Sequence, residues 1–499
     1  MNDTGSASVH SATLRGVEAL DVTVEVSSSN GIPGLDVVGM PDGAVLEARS
    51  RVKCAIRAAD FLQPRSRITV SLAPGEMRKS GTGFDLPMAI GILIATHQLP
   101  ARVAEGRLFV GELALDGTVC PVRGEVAYAI LAEREGLELV TSAQSPLTGG
   151  WRATTRAVST LAQLKTGVES LPMLSQVAEP TPDIIGARED TLDFADVVDQ
   201  ELAKRAMVIA AAGRHGILMI GPPGAGKTML ARRLPTILPP LTESEQAETL
   251  LIHSVAGQPI DAISRGERPF RAPHHSISVG GLVGGGRPVL PGEISLAHNG
   301  VLFLDELPEF SQSALQAMRQ PLEDHEVRIV RVDGAYAFPC NFMLVAAANP
   351  CPCGYLGDPD HECTCSPARI AAYQSKIGGP LMDRIDVVVD VARPSSKKVI
   401  DRQVGLSSAE MAKMVKCARE FAAWRCLRQE QLADPIAAAN LSPKARTTFE
   451  SMAEGLALGG RAIARVARVS RTIADLAEHE QVQTDDIIEA IGFRSRSVT

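Results

Sequence analysis

Apolar and polar residues alternate along the first part of the chain in short runs. Residues 16–40, GVEALDVTVEVSSSNGIPGLDVVGM, alternate in this way between glycines and prolines, which is typical of β-strands. The stretch VLEARSRVKCAIRAAD predicts a helix, RITVSLAP predicts a further strand, and FDLPMAIGILIAT predicts a buried helix. This pattern predicts a mixed α/β domain over residues 1–168.

The pattern changes twice further along the chain. Residues 169–190 carry three prolines and several acids without any period, so we expect a linker there. From residue 191 to 393, apolar strand runs alternate with helical runs, as in the βαβ units of a parallel sheet. Residues 394–499 contain helical patterns such as RAIARVARVSRTIADLAEHE and no strong strand run, which predicts an all-helical end.

A glycine-rich loop between a strand and a helix is the strongest chemical signal. GILMI runs into GPPGAGKT and then into a helical run, which is the P-loop pattern in its strand–loop–helix setting. Backbone N–H groups of such a loop bind phosphate oxygens at a helix N-terminus. Lys227 is expected to reach the β- and γ-phosphates of ATP, and the Thr228 hydroxyl to ligate Mg²⁺. The residues expected to bind nucleotide are Gly221, Pro222, Pro223, Gly224, Ala225, Gly226, Lys227, Thr228 and Met229.

Two further buried strands end in polar residues. GVLFL is followed by Asp305, which is expected to hold Mg²⁺ through water, and by Glu306, the natural base to orient the attacking water. A carboxylate pair at a strand end can also cap the next helix, but beside a P-loop the catalytic interpretation is favoured. FMLVAAAN ends in Asn349, whose amide is expected to position the water against the γ-phosphate.

Four of the nine cysteines lie in one short loop, residues 350–366. Cys351 and Cys353 form one Cys-x-Cys pair, and Cys363 and Cys365 form another. A loop folded back on itself could bring the four thiolates together as a tetrahedral site for a structural Zn²⁺. His361 is a candidate substitute ligand, and four reduced, unligated cysteines are the alternative.

Composition narrows the class of protein. The chain is 45% hydrophobic, 22% charged and only 4% aromatic, as in a globular α/β protein. Its net charge of −8 argues against an overall basic coat for nucleic acid, although not against a local basic channel. The N-terminus lacks a signal pattern, and no apolar run reaches the ~20 residues that a membrane span needs. We therefore expect a cytoplasmic protein without a membrane partner, whose cysteines are reduced or metal-bound.

The order of these motifs resembles that of the AAA+ ATPases. DFADVVDQ, which begins at Asp193, resembles the adenine-pocket entry of that superfamily, with Asp199 where relatives commonly have glycine. PLMDRIDVVVD places Arg384 where AAA+ rings carry an arginine finger for the neighbouring subunit's γ-phosphate. The alternative for Arg384 is an ion pair with Asp383 or Asp386.

A second arginine stands at the start of a helix in the predicted lid. Arg461 resembles the sensor-2 arginine of AAA+ proteins. Arg465 and Arg468 continue its face at i+4 and i+7, so only one of the three need touch nucleotide.

Two insertions resemble those of the branch that contains magnesium chelatase and the MCM helicases. RAPHHSISVGGLVGGGRPVLPGEISLAHNG precedes Asp305, and a hairpin is predicted around Val332-Asp-Gly334. In that branch both inserts line the pore of a hexamer, which implies phosphate contacts for Arg328 and Arg331. Solvated hairpin arginines are the alternative. A structural role is favoured over DNA contact for His274 and His275.

The motifs GIPGLDVVGMPD, SLAPGEMRKSGTGFDLPMAIGIL, RAPHHSIS, NPCPCGYLGD and LMDRID resemble the ComM (YifB) family of magnesium chelatase-like proteins across nearly the whole chain. The resemblance implies an α/β fold: an AAA+ P-loop core with a helical C-terminal lid, preceded by a mixed α/β Lon-protease-like domain. It further implies a homohexameric ATP-driven helicase for branch migration of single-stranded and forked DNA during natural transformation. Proteins of recombination or DNA uptake are candidate partners.

Two rival functions are suggested by the same resemblances. One is a chelatase-like motor that remodels a protein partner or inserts metal into a macrocycle. The other is a Lon-like protease, which needs a Ser–Lys dyad. The serine position falls on Asp85 and the lysine position near Val126, so we expect a protease-like fold without proteolysis.

Overall fold

The computed structural model describes residues 5–147, 153–174, 192–332, 334–377, 381–401, 405–428 and 434–494. Most of the predicted linker, residues 175–190, and Asp333 of the predicted hairpin turn lie outside these ranges. Within them, no helix is both long and apolar enough to cross a membrane.

A mixed seven-stranded sheet forms the N-terminal part, in the order β3-β4-β2-β1-β5-β8-β9. Its strands are β1 Ser6–Arg15, β2 Glu18–Ser29, β3 Gly34–Val38, β4 Arg67–Ala73, β5 Arg107–Phe109, β8 Glu138–Ser142 and β9 Thr155–Val158, beside the ribbon of β6 Glu112–Leu113 and β7 Val119–Cys120. The helices are α1 Gly43–Ala58, α2 Asp85–Ala95 and α3 Glu125–Glu135. All eleven residues of α2 are buried, as its unbroken apolar run predicts.

The start of the predicted linker packs on this sheet. Leu171 is buried, and Met173 bridges to Arg156 of β9. The Glu169 carboxylate accepts a hydrogen bond from Arg107 at 2.9 Å. The chain therefore stays on the N-terminal sheet as far as residue 174.

Five parallel strands form the central sheet, in the order β11-β14-β17-β10-β18. They are β10 Ile217–Ile220, β11 Phe270–Arg271, β14 Val301–Leu304, β17 Met343–Ala348 and β18 Val387–Asp390. The helices of this part are α4 Glu201–Gly213, α5 Lys227–Arg233, α6 Glu243–Ala256, α7 Asp261–Ser264, α8 Val279–Val283, α9 Glu293–Leu296, α10 Gln312–Ala317, α11 Arg319–Asp324 and α12 Pro367–Ile377. The expected α/β core is thereby confirmed.

Two small ribbons project from the central part. β12 Gly284–Gly285 pairs with β13 Leu290–Pro291, and β15 Glu326–Arg331 pairs with β16 Gly334–Pro339. The second ribbon is the predicted hairpin. The glycine-rich insert contains the β12–β13 ribbon and the short helices α8 and α9, as its composition indicates.

Helices make up the described C-terminal part, as predicted. They are α13 Ser396–Ile400, α14 Ser408–Arg428, α15 Pro435–Ala439, α16 Pro443–Gly455, α17 Gly460–Leu476 and α18 Thr484–Gly492. The apolar face of α17 joins the hydrophobic core of the central sheet through Val466, Val469 and Ile473. The adjacent face of α17 carries Arg461, Arg465 and Arg468.

Asp85 and Val126, the positions where the resemblance to Lon placed the dyad, are both buried. Asp85 is fully buried. Its carboxylate accepts two hydrogen bonds from the Arg51 guanidinium, from Nε to Oδ2 at 2.6 Å and from Nη2 to Oδ1 at 3.0 Å. Burial raises the pKa of Asp85, and the arginine opposes that rise.

Val126 is also buried, and its N–H donates to Ser254 Oγ of α6 at 3.2 Å. Gly124 N–H donates to the Ser254 carbonyl at 2.9 Å. Helix α3 thus packs the N-terminal part against α6 of the central part.

Removal of the Arg51 guanidinium will leave the Asp85 carboxylate buried without its cation. We expect Arg51→Ala to lower the free energy of unfolding by about 3–5 kcal/mol, because a buried charge without its partner is strongly destabilising. Urea denaturation of the full chain measures this. Arg49→Ala, on the exposed face of the same helix, is the control and should change stability by about 0.5 kcal/mol or less. Equal losses in the two variants would contradict the assignment.

Candidate nucleotide site and cysteine cluster

The P-loop lies between β10 and α5, at the carboxyl end of the central sheet. Gly224 and Gly226 have φ values of +77° and +89°. Residues with a Cβ rarely adopt this conformation, so the two glycines allow the loop to turn its N–H groups inward. The loop ends at the N-terminus of α5, where the helix dipole favours an anion.

Lys227 is held between the P-loop backbone and the end of β17. Its Nζ donates to the carbonyls of Gly221 at 2.6 Å and Pro222 at 3.0 Å, and to Asn349 Oδ1 at 3.1 Å. Burial lowers the pKa of Lys227, while the nearby carboxylates of Asp305 and Glu306 raise it. A partly desolvated ammonium gains strongly from a multiply charged partner such as a phosphate.

The Thr228 hydroxyl and the Asp305 carboxylate are in contact near Lys227. Thr228 Oγ1 donates to Asp305 Oδ2 at 2.7 Å. A hydroxyl and a carboxylate are ligands that Mg²⁺ prefers, so the donor set fits that ion. The structure thus brings the neighbouring residues Lys227 and Thr228 together with Asp305, 77 positions after Thr228, and Asn349, 122 positions after Lys227.

Glu306 stands at the edge of this group in an unusual conformation. Its φ is +52°, which is uncommon for a residue with a side chain. Its carboxylate approaches His275, with Oε2 and Nδ1 3.3 Å apart. No sequence pattern predicted this contact, because His275 belongs to the insert and lies 31 positions earlier in the chain.

The segment expected at the adenine pocket reaches the P-loop through Gln200, whose Nε2 donates to the Ala225 carbonyl at 3.2 Å. Asp199 has a φ of +62°, the conformation that a glycine would adopt without strain. Its carboxylate accepts from Lys398 Nζ at 3.0 Å and from Ser395 N at 3.2 Å. The Lys398 ammonium lowers the pKa of Asp199. These hydrogen bonds to the Asp199 side chain therefore offset the backbone strain that a glycine at this position would avoid.

Arg384 and Arg461 line one pocket outside the P-loop. The pocket contains five arginines and two acids: Arg319, Arg384, Arg461, Arg465, Arg468, Glu323 and Asp383. This excess of positive charge suits an anion.

The ion pair considered between Arg384 and Asp383 or Asp386 is wrong. Arg384 instead pairs with Glu323 at 2.5 Å. Asp383 pairs with Arg461, and Asp386 accepts from Arg468 at 2.9 Å. Arg461 and Arg468 both belong to α17, so the two aspartates near Arg384 in sequence are already paired with this helix.

The four clustered cysteines converge as the loop pattern predicted. Their sulfur atoms all lie within 4.8 Å of one another. Sγ of Cys351 is 3.4 Å from that of Cys353 and 3.6 Å from that of Cys363. Zn–S bonds of about 2.3 Å in a tetrahedron place sulfurs about 3.8 Å apart, so the group fits a thiolate-bound Zn²⁺.

His361 takes no part in this cluster. Its ring stacks on Tyr355 with centroids 4.9 Å apart, and its Nδ1 accepts from Arg393 at 2.9 Å. The candidate substitute ligand is therefore wrong, and all four candidate ligands are cysteines.

The cysteine loop presses against the P-loop. It leaves directly from Asn349, and Gly354, with a φ of +87°, lies over Pro223. A Cβ at Gly354 would come within 2.5 Å of Pro223 Cδ. The cysteine loop is thus joined directly to Asn349 and packs against the P-loop through Gly354, a contact that we call the brace.

The hairpin arginines and the histidines of the central part divide between exposed and buried positions. Arg328 and Arg331 are exposed on the β15–β16 hairpin, and Arg328 pairs with Glu326. His253 is buried and its Nε2 contacts the Leu296 carbonyl at 2.9 Å. Burial lowers the pKa of His253, which keeps it neutral and structural. His274 Nδ1 bonds to Ser276 Oγ at 2.7 Å.

Comparisons with known proteins cover almost all of this chain. The family described as "Magnesium chelatase, subunit ChlI" matches residues 193–399, "Subunit ChlI of Mg-chelatase" matches 24–145, and the ChlI C-terminal family matches 405–494. The competence protein ComM of Haemophilus influenzae is 41% identical over 98% of this chain and 97% of its own length. The chain belongs to the ComM/YifB family of magnesium chelatase-like AAA+ proteins.

Two other relatives mark the extent of the similarity. Escherichia coli YifB is 36% identical over 98% of this chain and 96% of its own length. A magnesium-chelatase 67 kDa subunit of Heliobacterium mobile is 26% identical over 32% of this chain. The two ComM/YifB relatives thus match 98% of the chain, including most of its N-terminal part, whereas the chelatase subunit matches about a third of it.

Gly354 and Gly357 offer a matched test of the brace between the cysteine loop and the P-loop. Both have positive φ, but a Cβ at Gly357 meets no atom within 4 Å. We expect Gly357→Ala to cost about 1–2 kcal/mol through backbone strain alone. Gly354→Ala should cost more and lower the melting temperature further, because the methyl group collides with Pro223. Equal melting temperatures for the two variants would contradict the contact.

Proposed function

We propose that this protein is an ATP-hydrolysing, homohexameric DNA motor that promotes branch migration of single-stranded and forked DNA. The observation that carries the ATPase part is the meeting of Lys227 with Asn349 and of Thr228 with Asp305 at one sheet edge. The family membership and the name of the Haemophilus relative, a competence protein, support a role in natural transformation and recombination.

Each residue of the site has a role in hydrolysis. Lys227 neutralises the β- and γ-phosphates of ATP, and Asn349 orients the attacking water. Glu306 is the base toward that water. Thr228 and Asp305 hold Mg²⁺, which supplies charge neutralisation on the phosphate oxygens when bound.

The arginine pocket favours catalysis between subunits. Arg384 and Arg461 face one pocket whose lining includes no residue of the P-loop. In a ring, this face would receive the triphosphate bound to a neighbouring subunit, with Arg384 as the finger. The ion pairs of Arg384 with Glu323 and of Arg461 with Asp383 hold both side chains at the pocket until then.

The proposed DNA contacts lie on the hairpin and require no sequence preference. Arg328 and Arg331 carry positive charge at exposed positions of a chain that is acidic as a whole. Lysine and arginine contacts to phosphates dominate such binding and weaken with salt. Proteins of recombination or DNA uptake are the expected partners.

Unwinding of a forked duplex tests the proposal. We expect Glu306→Gln to bind ATP but to lose hydrolysis by roughly 10²- to 10⁴-fold, since the amide cannot take a proton. ATP-dependent strand separation should disappear with it. Glu309→Gln, an exposed carboxylate three residues later, is the control and should unwind normally. Hydrolysis without unwinding, and without stimulation by any DNA, would contradict the DNA part of the proposal.

We also propose that Cys351, Cys353, Cys363 and Cys365 hold a structural Zn²⁺. Purified protein should then contain about one zinc ion per chain, as in other four-cysteine structural sites. Cys363→Ser should lose the zinc and lower the melting temperature. Cys417→Ser, at an exposed cysteine outside the cluster, is the control and should keep both. Mass spectrometry measures the metal content. Wild-type protein that contains no zinc, together with a Cys363→Ser variant that melts at the wild-type temperature, would contradict the zinc site.

A chelatase-like motor that acts on a protein partner or inserts metal into a macrocycle is the second candidate. The matches to magnesium-chelatase families over the core and lid favour it. ATPase activity that responds to a protein partner but not to DNA would support this alternative. Peptide hydrolysis would instead indicate the protease, for which Asp85 and Val126 supply neither a hydroxyl nor an amine.

A further inference from the structure

Helix α17 holds the short segment of the chain that carries Arg384, residues 382–386. Arg465 Nη1 donates to the Ile385 carbonyl at 3.1 Å and also to the Met382 carbonyl. These two carbonyls lie on either side of Arg384 in the chain. One guanidinium nitrogen of the lid therefore bridges the turn of backbone on which Arg384 stands.

The end of the same segment is fixed through both carboxylate oxygens of Asp386. Oδ1 accepts from Arg468 of α17 at 2.9 Å, and Oδ2 lies 3.0 Å from Nδ1 of His215. The other ring nitrogen of His215 lies 2.8 Å from the hydroxyl of Thr472, which is also on α17. Asp386 N–H donates to the carbonyl of Gly216, at 3.0 Å, just before β10. The segment is therefore held between the lid helix and the start of the strand that leads into the P-loop.

The side chain of Arg384 is held far less firmly than its backbone. It is 41% exposed, and its partner Glu323 is 59% exposed. Ion pairs of exposed side chains contribute little and exchange easily for a better partner such as a phosphate. A long side chain reaches a fixed point in space only if its own backbone is fixed. The reach of Arg384 thus depends on the two carbonyls that Arg465 bridges.

We propose that Arg465 is a positioning residue for Arg384, which sets the backbone of residues 382–386 so that the Arg384 guanidinium reaches its phosphate. This inference rests on the proposed function, in which Arg384 is the finger toward a neighbouring subunit. Arg461 has a separate part, because its partner in this segment is the side chain of Asp383 rather than the backbone. Through Arg465, the lid of one subunit governs hydrolysis in the next.

ATP hydrolysis by single and double variants of the full-length protein tests this role. We expect Arg465→Ala to lower kcat roughly 10- to 100-fold, as misplacement of a catalytic group does, with little change in KM for ATP. The double variant with Arg384→Ala should be no slower than Arg384→Ala alone, because Arg465 acts through Arg384. Arg465→Lys, which keeps a donor for one carbonyl, should restore part of the rate. Arg446→Ala, at an exposed arginine of the lid helix α16, is the control and should keep the wild-type kcat.

Mixed rings separate a positioning role from a general loss of structure. Glu306→Gln subunits keep both Arg384 and Arg465. In an equal mixture with Arg465→Ala subunits, they place an intact finger beside an intact nucleotide site. We expect this mixture to hydrolyse ATP faster than either variant alone. A mixture of Glu306→Gln with Arg384→Ala is the reference for action between subunits.

Each result decides between the hypotheses. Losses of kcat that multiply in the double variant would overturn the inference, since independent residues combine in this way. So would an Arg465→Ala mixture that stays inactive while the Arg384→Ala mixture recovers. If the Arg384→Ala mixture also stays inactive, catalysis between subunits fails as part of the proposed function. A double variant no slower than Arg384→Ala would in that case still support the positioning role of Arg465.

Discussion

Parallel pairing of three buried strands is the constraint on which the rest of the site depends. β17 lies between β14 and β10, in a register that sets Leu304 against Ala346 and Ile220 against Ala348. The polar residues at the carboxyl ends of the three strands therefore meet at one edge. The hydroxyl–carboxylate bond of Thr228 and the three-way contact of Lys227 both result from this register. A slip of one residue in β14 or β17 would turn the side chain of Asp305 or Asn349 to the other face of the sheet.

The sequence predicted the parts of this site that depend on local pattern. Apolar runs that end in a polar residue indicate where a strand stops, and a glycine loop before a helical run indicates a phosphate-binding turn. The convergence of four cysteines was foreseeable too, because Cys-x-Cys pairs need only a bend between them. The sequence also showed that Asp199 stands where relatives commonly have glycine. It could not show the hydrogen bonds that stabilise Asp199 there, because Lys398 and Ser395 lie about 200 residues away in the chain.

Contacts between distant surface side chains left no pattern in the sequence. Arg384 has aspartates on both sides in the chain, yet it pairs with Glu323 of α11, because α17 occupies those aspartates. The approach of His275 to Glu306 depends on how the insert folds over β14. β1 was also missed, since SASVHSATLR has few large apolar residues, although it forms the middle strand of its sheet. Tertiary neighbours, rather than propensity, decide such cases.

The place of β1 has a consequence for synthesis of the protein. Residues 6–15 pair with β2 at once through a tight turn, but their other edge is closed only by β5, at His10↔Leu108. About a hundred further residues must therefore leave the ribosome before the sheet can close, and such non-local pairing is slow. During that interval the open edge of β1 and the wholly apolar face of α2 are available to other chains. The nascent N-terminal part therefore exposes a sheet edge and an apolar helix until β5 has been made.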